Sequence, residues 1–176
     1  MTFPVKPVVL PSNLKGIKAG ELPASMLVDV KPFGKLHPLA ADAYHAMRAK
    51  ALADGIKTFK PTSAGDTYRT LASQTAGFLQ RYQKEPIAGA VTRTWEGTKW
   101  YLKKGFAPLA SPGSSNHNLG IAIDIAEASG ARLEWMLKNA DDFGFSWEVQ
   151  SEPWHLRYVA GDKVPAAVLA WKQTAI

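Results

Sequence analysis

The run Ser115-Asn116-His117-Asn118-Leu119-Gly120-Ile121-Ala122-Ile123-Asp124-Ile125 passes from polar turn residues into a short apolar segment, and its alternation sets the expected architecture. Successive side chains of a strand point to opposite faces. From Gly120 onward, Ile121, Ile123 and Ile125 therefore share one face, and Ala122, Asp124 and Ala126 share the other. The isoleucines make the buried face. Asp124 is left between two alanines, small enough to leave room beside its carboxylate. A buried carboxylate without a partner is costly, so Asp124 needs a cation, a hydrogen-bond cluster or water.

A second stretch, Glu152-Pro153-Trp154-His155, raises a related question. Alternation from Trp154 to Val159 groups Trp154, Leu156 and Tyr158 and sends His155 and Arg157 to the opposite side. Glu152 would fall on the wrong face of a regular strand, but Pro153 breaks the ladder, and the bend can bring both residues to one cavity. The chain has no cysteine, which excludes thiolate ligands and cysteine nucleophiles; any metal must be held by His, Asp or Glu. A catalytic zinc takes three protein ligands, keeps one position for water, and has a carboxylate nearby to accept the water's proton. His117, Asp124 and His155 as ligands, with Glu152 as the base, supply that set. By spacing alone, structural histidines and a chance His and Asp pair are the commoner explanation.

Working outward, residues 1 to 35 are rich in proline and glycine and keep no helical or strand period, which predicts an N-terminal arm or irregular segment. The main domain is expected over 36–176. Pro38 suits a first helical position, and Leu39, Ala43, Ala46, Met47 and Leu52 recur at helical spacing up to Asp54-Gly55. Ile56 to Phe59 reads as a short strand. A second helix is expected over about 71 to 83, capped by Thr70 and ended before Pro86. Residues 86 to 114 read as a long connection carrying Trp95, Trp100, Tyr101 and Phe106. Ser129 is expected to cap a third helix reaching about Phe143. Phe145 to Val149 and Trp154 to Val159 are expected to pair, and Pro165 to Lys172 to form a closing helix. Helices and strands mix without regular βαβ alternation. The fold class is therefore α+β, a small mostly antiparallel sheet with helices packed on one side.

Composition narrows the partners. A start broken by prolines lacks the apolar block of a signal peptide, which predicts synthesis in the cytoplasm without a leader. No 18-residue apolar run is present, so no membrane partner is expected. The charge of +6, from 21 Lys plus Arg against 15 Asp plus Glu, favours anionic partners such as cell wall. It fits a dispersed basic surface equally well. No run of five basic residues supports nucleic acid, and none is expected as a partner. One core of this size is expected to work as a monomer.

The two quoted stretches resemble the paired signatures of the D-alanyl-D-alanine carboxypeptidase (VanY-type) family of zinc peptidases, Ser-x-His-x-x-Gly-x-Ala-x-Asp followed by Glu-x-x-His. Ser115, His117, Gly120, Ala122 and Asp124 match the first; Glu152 and His155 match the second, with Trp154 before the histidine and Arg157-Tyr158-Val159 after it. Tyr68-Arg69-Thr70 with Gln74 is similar to the family's Tyr-Arg-Ser segment and downstream Gln. The likeness spans about residues 36 to 160. It implies an α+β fold, one zinc ion in a cleft, and hydrolysis of peptide bonds involving D-amino acids in peptidoglycan stem peptides. Arg69 would bind a substrate carboxylate or the developing oxyanion, and Ser115 and Gln74 would hold substrate. The plainer readings are a surface ion pair for Arg69 and a turn hydroxyl for Ser115. Thr67 departs from the glycine usual before the Tyr-Arg pair. Lys103 to Asn118 looks more like the family's bacteriophage lysins, which wait in the cytoplasm for a membrane pore and often cut between L-alanine and D-glutamate.

Several residues carry plainer expectations. His37 and His45 read as capping or surface groups, the tryptophans mainly as core, and Asp141-Asp142 as a solvated pair. Beside the peptidase reading stands a non-catalytic wall-binding or structural module that retains zinc. Retention of Glu152 speaks against it, since a structural site has no need of a base.

Overall fold

The computed structural model describes residues 1–175. Its strands are β1 (Val28–Asp29), β2 (Lys35–Leu36), β3 (Tyr82–Gln83), β4 (Thr92–Trp95), β5 (Thr98–Leu102), β6 (Ala122–Asp124), β7 (Phe145–Trp147) and β8 (His155–Tyr158). The helices are α1 (Pro38–Ala53), α2 (Leu71–Arg81), α3 (Gly130–Asn139) and α4 (Ala166–Thr174). The architecture is α+β, as expected. The strands form three small antiparallel sheets, ordered β1-β2, β3-β5-β4 and β6-β8-β7.

The central sheet, β6-β8-β7, is built on the isoleucine face read from the sequence. Ile121, Ile123 and Ile125 are fully buried, and they join Leu156 and Tyr158 of β8 and Phe145 of β7 in one core with Tyr44 and Met47 of α1, Met136 of α3 and Val168 of α4. Helix α1 starts at Pro38, whose missing N–H costs nothing at that position, and His37 caps it by accepting the Leu39 N–H at Nδ1 (3.3 Å). Its buried side is mainly alanine, which lets the helix approach the sheet closely. Helix α2 is capped by Thr70, whose hydroxyl accepts the Ser73 N–H at 3.1 Å, a contact worth about 1 kcal/mol.

Residues 1–35 carry only short elements, the 3-10 turns Ser12–Leu14 and Ala24–Met26 and strand β1 with the first residue of β2, and they are packed on the rest of the chain. Phe3, Leu14, Leu22 and Val30 belong to the same core. Val5 and Val9 form parallel bridges to Trp147 and Ala160, and the Phe3 ring stacks on Trp147 at 5.3 Å. Gln150 accepts the Phe3 N–H (2.8 Å) and donates to the Phe3 carbonyl (2.9 Å). The segment thus covers the outer edge of β7, where unpaired backbone groups would otherwise be exposed.

Four expectations need correction. Residues 56–59 pair with no strand; the Phe59 carbonyl is taken by the Arg48 Nε–H (3.1 Å) and the Tyr44 hydroxyl (3.4 Å) of α1, so this apolar run ties a loop to a helix. Residues 86 to 114 contain a hairpin, β4-β5, turned at Glu96 (φ 49) and Gly97 (φ 72). Positive φ at both central residues marks a type I′ turn, whose usual Asn-Gly or Asp-Gly signal is replaced here by Glu-Gly. Trp95 and Trp100 both meet the ring of Phe78 edge-on at 5.5 Å, giving this sheet a core of its own against α2. Helix α3 ends at Asn139 and passes into a 3-10 turn over Ala140–Phe143, and the Ser129 side chain makes no capping bond. Trp154 does not join Leu156 and Tyr158 in the core; it precedes the first residue of β8 and is 42% exposed.

Candidate metal centre

The register of β6 against β8 brings the two quoted stretches together. Asp124 pairs directly with His155, and Ala122 with Arg157, so the carboxylate and the imidazole stand on the same face of adjacent strands. His117 arrives by another route. It lies in a 3-10 turn, Asn116–Leu119, that Ser115 caps by accepting the His117 N–H at 3.2 Å. Gly120 ends that turn in a left-handed conformation (φ 68) and hands the chain to β6. The site thus hangs on a sheet register and on one turn.

His117 Nε2 lies 3.3 Å and His155 Nδ1 2.8 Å from Asp124 Oδ1, and the candidate ligand atoms all fall within 4.8 Å of one another. Four-coordinate zinc with bonds of about 2.0 Å needs neighbouring ligand atoms about 3.3 Å apart, so only small side-chain shifts separate this arrangement from a coordination sphere. The outward nitrogens are anchored too. His117 Nδ1 donates to the Thr67 carbonyl at 2.8 Å, which leaves the lone pair of Nε2 facing the cluster. His155 Nε2 lies 2.7 Å from Glu148 Oε2, on the ring edge away from Asp124. Such outer anchors set ring orientation and tautomer at metal-binding histidines. Both rings are buried.

The charges agree with a cation site. Burial opposes ionisation of Asp124, but the imidazoles of His117 and His155 beside it outweigh burial and hold the carboxyl well below the usual carboxylate range. Burial also opposes the His155 cation, yet Asp124 and Glu148 prevail and push its pKa up to about 9. His155 lies between two carboxylates, an arrangement that favours positive charge at this spot.

Arg69 stands next to this cluster through its backbone: its N–H donates to the His117 carbonyl (3.0 Å) and its carbonyl accepts from Asn118 Nδ2 (2.8 Å). Its guanidinium is fixed by the Gly65 carbonyl (2.9 Å), Gln74 Oε1 (2.9 Å) and Asp66 (3.4 Å). Gln74 is buried and also donates to the Ala110 carbonyl at 2.8 Å. A cavity of about 460 Å³ opens beside Arg69, lined also by Tyr68, Thr70 and Ser73; the two histidines and Asp124 do not line it. Glu152 is partly exposed and its carboxylate makes no hydrogen bond or ion pair with the described residues. Its carbonyl accepts the His155 N–H at 3.1 Å, which fixes the turn leading into β8.

Glu148 escaped the sequence reading, although a signal was present. Trp147 pairs with Leu156 across β7 and β8, so one step further the same alternation that turns His155 toward Asp124 turns Glu148 toward His155. Thr67, read as a departure from the family pattern, serves the site through its backbone carbonyl, which any residue type supplies.

Residues 34–161 match the family model for D-alanyl-D-alanine carboxypeptidase, VanY. The chain belongs to the VanY family. The matched span contains both signatures, Arg69, Gln74 and Glu148, and the family makes this chain a cell-wall peptidase. A search of curated proteins found no match. Among solved structures, this VanY-family chain is similar to a vancomycin-resistance D,D-pentapeptidase VanY from a VanB-type cassette, solved with Zn(II). The identity is 22%, covering 90% of this chain and 93% of that one, with a TM-score of 0.51. VanYB in complex with D-alanine-D-alanine gives 22% identity, 90% and 92% coverage and a TM-score of 0.51. The D,D-dipeptidase VanXYg, in complex with a phosphinate analogue of D-Ala-D-Ala, gives 20% identity, 96% and 66% coverage and 0.53. At these identities the likeness establishes the shared fold.

Proposed function

We propose that this chain is a zinc peptidase that hydrolyses peptidoglycan stem peptides, with His117, Asp124 and His155 holding one zinc ion. The observation that carries this reading is the convergence of three ligand-type atoms within 4.8 Å, with both outward imidazole nitrogens anchored. The donor set, two imidazoles and one carboxylate, suits zinc and leaves a coordination position for water. When bound, the ion supplies Lewis acidity that polarises a carbonyl and brings a water's pKa to about 7.

The chain's own residues supply the remaining steps. Glu152, three positions before His155 and with its carboxylate uncommitted among the described residues, accepts the proton of the attacking water and returns it to the departing amine. Arg69 is assigned to the oxyanion that develops on the scissile carbonyl, or to the terminal carboxylate of the stem. Its guanidinium is already held by Gly65, Gln74 and Asp66, so little reorganisation is needed when charge appears. Gln74 acts through Arg69, whose guanidinium donates to its Oε1, and Ser115, which caps the turn carrying His117, is assigned to holding substrate. Relatives solved with D-alanine-D-alanine and its phosphinate analogue favour removal of a terminal D-alanine over an internal cut.

Incubation of purified peptidoglycan with the zinc-loaded protein, with and without a chelator, tests this reading by mass spectrometry of the released products. Chelator-sensitive release of D-alanine is the expected result. Products split between L-alanine and D-glutamate would instead mark an internal, lysin-type cut. Glu152→Ala is expected to keep zinc and to lose turnover by roughly 10²- to 10⁴-fold. Zinc retention without release of any product by the parent protein would replace the peptidase with a wall-binding module.

A further inference from the structure

We infer that Glu148 is a positioning residue for His155, holding the imidazole so that Nδ1 meets the metal; the inference rests on the zinc site proposed above. Three contacts define it. Oε2 of Glu148 lies 2.7 Å from His155 Nε2. Asn116 Nδ2 donates to both carboxylate oxygens, at 3.1 and 3.2 Å. Arg157 Nη1 lies 3.9 Å from Oε1, and Arg157 is itself held by donating to the carbonyls of Lys6 (2.9 Å) and Trp147 (3.0 Å). The carboxylate is thus pinned from two sides before it meets the imidazole.

The two ligand histidines differ in a way that makes this anchor necessary. His117 turns Nε2, the far nitrogen, toward Asp124 and rests Nδ1 on a backbone carbonyl. His155 does the reverse: Nδ1, the nitrogen nearer the backbone, faces Asp124. A ligand bound through Nδ1 leaves little freedom for the ring, since a rotation about χ2 carries the coordinating nitrogen away from the ion. An acceptor beyond Nε2 selects the tautomer with its proton there, leaves the Nδ1 lone pair for the metal and raises its basicity. Glu148 is that acceptor. Because it sits beyond the ring edge opposite Asp124, it is separated from the reacting water by the imidazole and does not compete with Glu152 for the proton.

Asn116 extends the relay to the other ligand. It is the residue immediately before His117, so one amide spans from the turn that carries the first histidine to the carboxylate that orients the second. Asn116 thereby couples the two imidazoles mechanically without touching the ion.

Zinc affinity measured by chelator competition, together with the visible spectrum of the cobalt-substituted protein, separates the possibilities. Glu148→Ala is expected to weaken zinc binding roughly 10- to 100-fold and to change the cobalt spectrum, because the ring loses its fixed orientation. Glu148→Gln, whose amide oxygen still accepts from Nε2, is expected to recover part of both. Parent-like affinity and an unchanged cobalt spectrum in Glu148→Ala overturn the inference, and if turnover is lost in that same variant, Glu148 is a proton-transfer group instead. A parent protein that binds no zinc overturns the metal reading itself and Glu148's role with it. Should Glu148→Ala fail to fold by circular dichroism, Asn116→Ala provides the test, with a severalfold loss of affinity expected and parent-like affinity overturning the relay.

Discussion

Asp124 and His155 are direct cross-strand partners of β6 and β8, with Oδ1 and Nδ1 2.8 Å apart. The pairing that buries Ile123 against Leu156 therefore also assembles the candidate metal centre, and a slip of one residue would send one of its side chains into the core. Asp124→Asn keeps the shape and the register but removes the proposed anionic ligand. Zinc affinity is expected to fall by more than the roughly 100-fold that marks the upper end for an outer-sphere partner, measured by competition with a chelating dye. An asparagine variant that binds zinc like the parent would remove Asp124 from the ligand set.

Arg69 offers a different separation of roles. Its planar fork contacts Gly65, Gln74 and Asp66 at once, a geometry that an ammonium group cannot reproduce. Arg69→Lys is expected to bind zinc as the parent does and to lose kcat by about 10²-fold, the scale of one missing oxyanion donor. A rise in KM with kcat unchanged would assign Arg69 to ground-state binding of a substrate carboxylate instead.

Much of this site was legible in the sequence because strand alternation is strict. The isoleucines at 121, 123 and 125 place Asp124, and Leu156 with Tyr158 places His155; each follows from period two without any contact being known. Legibility failed where tertiary contacts decide. Nothing local distinguishes Ile56 to Phe59 from a strand, since what diverts it is Arg48 and Tyr44 on α1. The Glu96-Gly97 hairpin was hidden because glutamate is an unusual residue at φ 49, and the turn is fixed by Trp95 and Trp100 closing on Phe78. Thr67 acts on His117 through a carbonyl, which no side-chain motif records.

Gly120 is fixed by backbone geometry as well as by motif. It adopts φ 68, and a Cβ there would lie 2.9 Å from the His37 nitrogen, whose N–H donates to the Gly120 carbonyl at 2.9 Å. Gly120→Ala therefore meets left-handed strain and a backbone clash together, a cost of about 1 to 3 kcal/mol before relaxation. The melting temperature of the metal-free protein is expected to drop by several degrees, since about 2 to 4 °C accompanies each kcal/mol at this size. An unchanged melting temperature would mean that the joint between α1 and β6 yields easily.

That joint also contains a titrating group. His37 is buried, accepts the Leu39 N–H at Nδ1 (3.3 Å) and lies 2.8 Å from Asn13 Oδ1 at Nε2, so it must be neutral to accept at one nitrogen while donating at the other. Burial lowers its pKa from the ordinary 6.5, with Asp162 opposing. A histidine whose folded pKa lies below its unfolded one contributes stability that is complete above 6.5 and is lost as pH falls through the folded value, because the unfolded chain then binds the extra proton. His37→Asn keeps a side-chain oxygen to cap α1 but has nothing to protonate. Its urea midpoint is expected to fall less steeply than the parent's between about pH 7 and pH 5, although it starts lower at pH 7 through the lost packing. His45, whose pKa burial also lowers, is unchanged in this variant, so the difference between the two curves isolates His37. Parallel curves for variant and parent would place the acid sensitivity elsewhere.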